Sequence, residues 1–274
     1  MSVLYTSYCL FMFLATVLKS DKSNYYMVSC LHRLFNSIVD ILFPRRCCVC
    51  GRRLLLNEED LCIKCLTQLP LTHIDGRKNN VVERLLWDDA VYTERASSLL
   101  YYRPKSNYCC IYFKFKYQHQ PQVAVAFGKM MAHELVDTGF FKGIDVMLPI
   151  PLSNNRIKQR GYNQSERLAY GMSLITHIPI DTSSVVRVVD NPTQTRLYGK
   201  ERFENVRDVF QLVSPQNLRG KHVLIIDDMI TTGSTIRACA RVVLQAGNVK
   251  ISVLSLGLSA KNRDSVNVPQ WRRQ

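Results

Sequence analysis

Along the second half of the chain, continuous apolar runs alternate with stretches of helical periodicity. Ile144 to Ile150, Val185 to Val189, Val223 to Ile226 and Val249 to Leu256 are short, branched and apolar, and each is bounded by turn residues. Runs of this kind, without polar alternation, predict strands buried on both faces of a sheet. Between them, Asn163 to Met172 and Ile236 to Ala246 read as helices, the second ending at Gly247. Strands alternating with helices predict an α/β fold on a parallel sheet. Upstream, Asp89 to Thr93 and Ala96 to Tyr102 predict two short strands of a hairpin or small sheet. Val123 to Val136 predicts a helix. Nearer the start, Leu31, Leu34, Phe35, Ile38, Ile41 and Leu42 recur at helical spacing, and Pro44 stops that helix.

The chemistry concentrates where the third apolar run ends. Val223 to Thr235 reads VLIIDDMITTGST: a strand, two carboxylates, then a loop of hydroxyls with one glycine opening a helix. Backbone N–H groups and the positive end of the dipole make such a helix start an anion cradle, and Gly233 lets the backbone approach closely. Asp227 and Asp228 do not suit a phosphate. They suit the hydroxyls of a sugar carrying it, or a Mg²⁺ beside it. A plain polar turn leaves the paired carboxylates without a purpose. The order of these features describes a ribose 5-phosphate site, and the stretch resembles the phosphoribosyl-pyrophosphate (PRPP) loop of type I phosphoribosyltransferases.

Cysteine usage adds a second kind of site. Of ten cysteines, four form the pairs Cys47-x-x-Cys50 and Cys62-x-x-Cys65, and the rest show no framework spacing. That pattern argues against a secreted disulfide scaffold and for a reducing, cytoplasmic compartment. Two such turns supply four thiolates to a tetrahedral structural zinc, with all four ligand positions filled by protein. Free buried cysteines or a redox pair fit the paired spacing less well. Arg45, Arg46, Arg52 and Arg53 surround the pairs and favour the thiolate form.

Lysine and arginine number 36 against 22 acidic residues, a net charge of +14, which favours anionic partners, with a solvated basic surface as the alternative reading. Beyond the strand at Ile144 to Ile150 lies a basic loop with Arg156, Lys158 and Arg160, placed to meet pyrophosphate. Residues 191 to 210 are polar, basic and hydroxyl-rich between two strands, and read as a mobile lid. Phe113-Lys114-Phe115-Lys116-Tyr117 interleaves rings and charges. It reads equally as a stacking surface for nucleic acid and as an amphipathic segment with solvated lysines. Residues 1 to 29 carry an apolar run, Leu10 to Leu18, without the basic start of a secretory signal. The expectation is a poorly ordered or mis-assigned start, with Met27 opening a natural beginning. A membrane anchor is the minority reading, and stable membrane insertion is not expected.

The whole plan, residues 30 to 257, resembles the competence protein F (ComF) family. The carrying residues are the two cysteine pairs after Leu42-Phe43-Pro44-Arg45-Arg46, FKFKY at 113 to 117, LPIPL at 148 to 152, RGYNQ at 160 to 164, PTQ at 192 to 194, the pattern from Glu201 to Phe210, and VLIIDDMITTGST. The lid and PRPP loop also look like those of glutamine amidophosphoribosyltransferase. That enzyme carries a glutaminase domain where this chain carries a cysteine ribbon. The resemblance implies a type I phosphoribosyltransferase-like parallel sheet flanked by helices, with a small N-terminal four-cysteine zinc ribbon. The expected organisation is residues 1–29, a helix-plus-ribbon module at 30–80, the phosphoribosyltransferase-like domain at 81–258 and a basic tail at 259–274. It implies that Asp227 and Asp228 are the catalytic acids on the ribose hydroxyls, and that the PRPP-binding stretch runs through Met229, Ile230, Thr231, Thr232, Gly233, Ser234 and Thr235. Arg156, Lys158 and Arg160 take the pyrophosphate with Mg²⁺, and the lid carries Thr193, Gln194, Lys200, Arg202 and Asn205. The implied association is DNA uptake in natural transformation. Two classes of function follow: transfer of phosphoribosyl from PRPP to a nitrogen acceptor, or a non-catalytic module that senses PRPP or handles single-stranded DNA with the competence machinery.

Overall fold

The computed structural model of the protein describes residues 44–55, 57–87, 91–189 and 209–259. The helix expected over Leu31 to Leu42, the apolar start, the lid up to residue 208 and the basic tail beyond residue 259 lie outside the described residues. The chain forms two compact units, Met1–Cys47 with Gly51–Cys62, and Cys48–Cys50 with Ile63–Gln274. In the first, Leu54 N–H donates to Arg45 O and Cys47 N–H to Arg52 O, at 2.9 and 2.8 Å, around an antiparallel bridge between Arg46 and Arg53. The Glu58 carboxylate ties this small hairpin together, accepting from the Leu55 amide at 2.8 Å and from Arg52 at 2.9 Å.

The second unit begins with α1 (Ile63–Thr67) and α2 (Val81–Leu86) and is built on four parallel strands. These are β1 (Arg95–Tyr102), β2 (Val146–Pro149), β5 (His222–Ile230) and β6 (Lys250–Ser259), in the order β1-β6-β5-β2. The central pair is β5 and β6, registered with Ile225 opposite Val253 and Asp227 opposite Ser255. Its apolar runs are continuous because both faces are covered. Val223 and Ile225 join Val253 and the inner face of α7 (Ser234–Leu244), where Ile236, Cys239, Ala240 and Val243 recur at helical spacing. Leu224 and Ile226, equally buried, alternate to the opposite face.

Two further helices, α4 (Pro121–Leu135) and α6 (Gln164–Thr176), pack on each other, and α6 lies on β2 and β5. Their crossing is fixed by two glycines. A Cβ at Gly128 would stand 2.2 Å from Leu168 O, and one at Gly171 would stand 2.1 Å from Val125 O. Only a bare backbone on each helix permits this approach.

The parallel α/β architecture is as expected, and three local readings change. Ala96 to Tyr102 is no hairpin strand: β1 is the sheet edge and pairs in parallel with β6. A strand as buried as β6 needs a ladder partner on each side, and β1 supplies the second. Val185 to Val189 contributes β3 (Val185–Arg187), which leaves the main sheet and pairs antiparallel with β4 (Phe210–Leu212). These two strands bracket the segment read as a lid. The basic loop after β2 is a short helix, α5 (Asn154–Arg160), and FKFKY lies on α3 (Cys109–Tyr117). Periodicity over so few residues does not separate a loop from two helical turns.

Candidate phosphoribosyl site and cysteine cluster

In a parallel sheet with helices on both faces, the carboxyl ends of the strands open a crevice. There β5 delivers its two carboxylates to different surroundings. Asp227 is 9% exposed. Its Oδ1 accepts from the Asp228 amide at 2.8 Å and from the Ser165 hydroxyl at 3.5 Å. Burial and then the charge of Asp228 push its pKa up to about 8, against the pull of the Asp228 N–H and the Lys116 ammonium. Asp227 is thereby shifted toward its protonated form. Asp228 instead meets Lys116, with Nζ 2.5 Å from Oδ2. The contact is an ion pair; its angle leaves Oδ2 outside hydrogen-bond geometry.

Beyond Ile230 the chain bends through Thr231, Thr232 and Gly233 into α7. Gly233 caps the helix at φ +76, the left-handed region, without a side chain of its own, and the Ser234 amide donates to the Thr232 hydroxyl at 3.5 Å. The positive end of the helix is thereby open to an anion. A Cβ at Gly233 would lie 2.9 Å from Leu86 Cδ2 and 3.1 Å from Arg237 Nη1. Arg237 braces this bend by donating to Leu85 O at 2.8 Å and Thr232 O at 3.1 Å. Thr231, Thr232, Ser234 and Thr235 are exposed around the helix start, while Ile230 is buried and Met229 half-buried.

On the neighbouring strand, β2 leads into α5. Arg160 donates to Gln164 Oε1 at 2.8 Å, and its guanidinium stands 5.8 Å from the Tyr117 ring centre. Arg156 is half-buried and Lys158 exposed on the same short helix. Asn163 caps α6 by accepting from the Ser165 amide and donating to Ile150 O, both at 3.0 Å. The lid residues Thr193, Gln194, Lys200, Arg202 and Asn205 lie outside the described residues.

Helix α3 supplies what the sequence reading missed. Lys116 reaches the acid pair, and Tyr112, one turn earlier, is 6% exposed with its hydroxyl unpartnered. Burial and then Asp228 raise the Tyr112 pKa well above the usual phenol value. The i, i+4 spacing within YFKFK was a signal that both residues share one helix face.

The four cysteines of the two C-x-x-C pairs converge. Sulfurs of Cys47, Cys50, Cys62 and Cys65 all lie within 4.8 Å of one another, and Cys47, Cys62 and Cys65 are buried. Four sulfurs at the zinc–thiolate distance of a tetrahedral site stand about 3.8 Å apart, so this cluster is consistent with a structural zinc.

Residues 125–268 match the family model of the phosphoribosyl transferase domain. The chain belongs to this family. Its relatives carry the competence names that the ComF resemblance implied. It is 28% identical over 213 residues to the DNA utilization protein YhgH of Escherichia coli (strain K12), covering 77% of this chain and 88% of that protein. Competence protein F of Haemophilus influenzae is 27% identical over 234 residues, covering 78% of this chain and 97% of the relative. Competence protein ComFC of Bacillus subtilis is 31% identical over a shorter stretch of 102 residues, 37% of this chain and 39% of the relative. Among solved structures, a glutamine PRPP amidotransferase from B. subtilis, complexed with ADP and GMP, aligns with TM-score 0.35 and 23% identity. The match covers 52% of this chain and 30% of that one. Among the described residues, no helix is long and apolar enough to cross a membrane.

Proposed function

We propose that this phosphoribosyltransferase-family protein binds PRPP at the carboxyl edge of its sheet, in a reducing, cytoplasmic setting. Asp227 and Asp228 take the ribose hydroxyls, and Thr231 to Thr235 with the start of α7 take the 5-phosphate. The segment from Pro151 to Arg160 takes the pyrophosphate, and Thr193, Gln194, Lys200, Arg202 and Asn205 close over it. The observation that carries this reading is the hydroxyl-lined start of α7, turned by Gly233 five residues beyond the acid pair of β5. The donors around the pyrophosphate position are cationic, so a Mg²⁺ there would be held by pyrophosphate oxygens. It would supply neutralisation of the leaving group's charge. The chain's own contribution is orientation of the ribose and cationic stabilisation of pyrophosphate as a nitrogen acceptor attacks C1. The cysteine module, within residues 30–80, is a zinc-stabilised appendage to the domain at 81–258.

Calorimetric titration of PRPP with Mg²⁺ into the wild type and into the Asp227→Asn/Asp228→Asn variant tests the site. Binding to the wild type that is lost in the variant is expected. An absence of heat with the wild type would overturn the reading.

A second reading has its own observation. Phe113 and Tyr117 are 53% and 62% exposed, their rings 5.5 Å apart on α3, with Arg160 against Tyr117. Exposed rings beside cations suit single-stranded DNA, and the names of the relatives associate them with DNA utilization and competence. This reading expects oligonucleotide binding that weakens steeply with salt. Absence of binding at low salt would remove it.

A further inference from the structure

A ligand with three phosphate groups poses a difficulty at this site, because an acid pair that includes the Asp228 carboxylate stands where its ribose is proposed to lie. Lys116 answers it. Its ammonium is 2.5 Å from Asp228 Oδ2, and the two side chains are only 21% and 16% exposed. Partial burial of both partners makes the pair less open to screening than a surface salt bridge.

The lysine is also delivered from a fixed position. On the same face of α3, Tyr112 is buried and packs so closely on β6 that a Cβ at Gly257 would fall 2.1 Å from its hydroxyl. Phe115 is fully buried, and its carbonyl accepts from the Tyr162 hydroxyl on the stretch between α5 and α6. The helix is thus held on one side by the sheet and on the other by the segment that follows β2. It precedes residue 125, where the family match begins.

We propose that Lys116 is a positioning residue that sets the charge of the acid pair, so that a vicinal diol bearing several phosphates can dock beside it. The inference rests on the reading of the site as one for PRPP. Lys116 cancels the charge of Asp228 and holds one carboxylate oxygen. The other oxygen keeps its capacity to accept from a ribose hydroxyl. Without the ammonium, every phosphate brought to the site meets an uncompensated carboxylate, and a ligand with more phosphates suffers more.

The test compares two probes, PRPP and ribose 5-phosphate, each titrated with Mg²⁺ into wild type, Lys116→Met and Lys116→Arg. Lys116→Met is expected to weaken PRPP by about tenfold or more, to weaken ribose 5-phosphate distinctly less, and to steepen the loss at low salt. Lys116→Arg is expected to recover most of the PRPP affinity. PRPP affinity unchanged in Lys116→Met, with the wild type binding, would overturn the inference and leave the site reading intact. Equal loss of both probes would also overturn it, because that is what simple damage to the pocket produces. Wild type that binds neither probe would overturn the site reading and the inference with it. A thermal double-mutant cycle of Lys116→Met with Asp228→Asn measures the pair without ligand, and zero coupling would overturn the inference on its own.

Discussion

The cysteine module and the sheet hold their functional groups by different physics. Among the described residues from 44 to 67, the buried apolar side chains besides cysteines are Leu54 and Leu61. These described residues supply little apolar surface, and the cluster of four sulfurs ties them together. The carboxylates at the end of β5 rest instead on six consecutive buried residues, His222 to Asp227, flanked by buried strands. There the core carries the site, and it can hold a group away from its ordinary state, as burial does in raising the pKa of Asp227. A metal-dependent module is all-or-none in its ligand; a core-supported site tolerates frustration.

The widest test of this contrast is metal removal. Chelation, or Cys62→Ser, is expected to abolish zinc binding, whose apparent free energy in small zinc modules is about 10 kcal/mol or more. Amide exchange should accelerate over residues 44–67 and stay slow over β5 and β6. Equal acceleration in both would break the comparison. Ile225→Ala, in the center of the buried strand, is expected to cost about 2–5 kcal/mol in denaturant unfolding, with zinc content unchanged. Gly171→Ala puts a methyl against the backbone of α4 and is expected to cost about 3 kcal/mol, read as a lowered urea midpoint. The effect of Asp227→Asn depends on pH, being smallest below pH 4 and growing as pH rises. The native side chain holds its proton up to about pH 8, whereas the unfolded one releases it near pH 4. Stability linked to this group is fully present below pH 4 and is lost as pH rises to about 8. The variant should therefore show a flatter melting temperature across that window than the wild type. An identical slope in both would show that Asp227 titrates as an ordinary carboxylate.

How far each region was legible in the sequence depends on the range of the interactions that build it. The cysteine pairs and VLIIDDMITTGST are local patterns: ligand spacing, a buried strand, a turn and a helix start follow one another within a few residues. The place of β1 was not legible, because Ala96 to Tyr102 suits a hairpin strand as well as a parallel edge. Its partner, β6, lies about 150 residues away. The fate of FKFKY was open for the same reason. Its lysines look alike in sequence, and only the seating of Tyr112 on Gly257 turns Lys116 toward Asp228.

By itself the sequence determined the α/β class, the four thiol ligands and the order of strand, acid pair and phosphate-type loop, because short-range periodicity and spacing encode them. Tertiary structure alone decided which charges meet. It buried Asp227 so that its pKa rises, placed the Lys116 ammonium on Asp228 from more than a hundred residues upstream, and braced Gly233 with Arg237. Electrostatic energy depends on distance and burial in three dimensions, and neither is written in the spacing of residues along the chain.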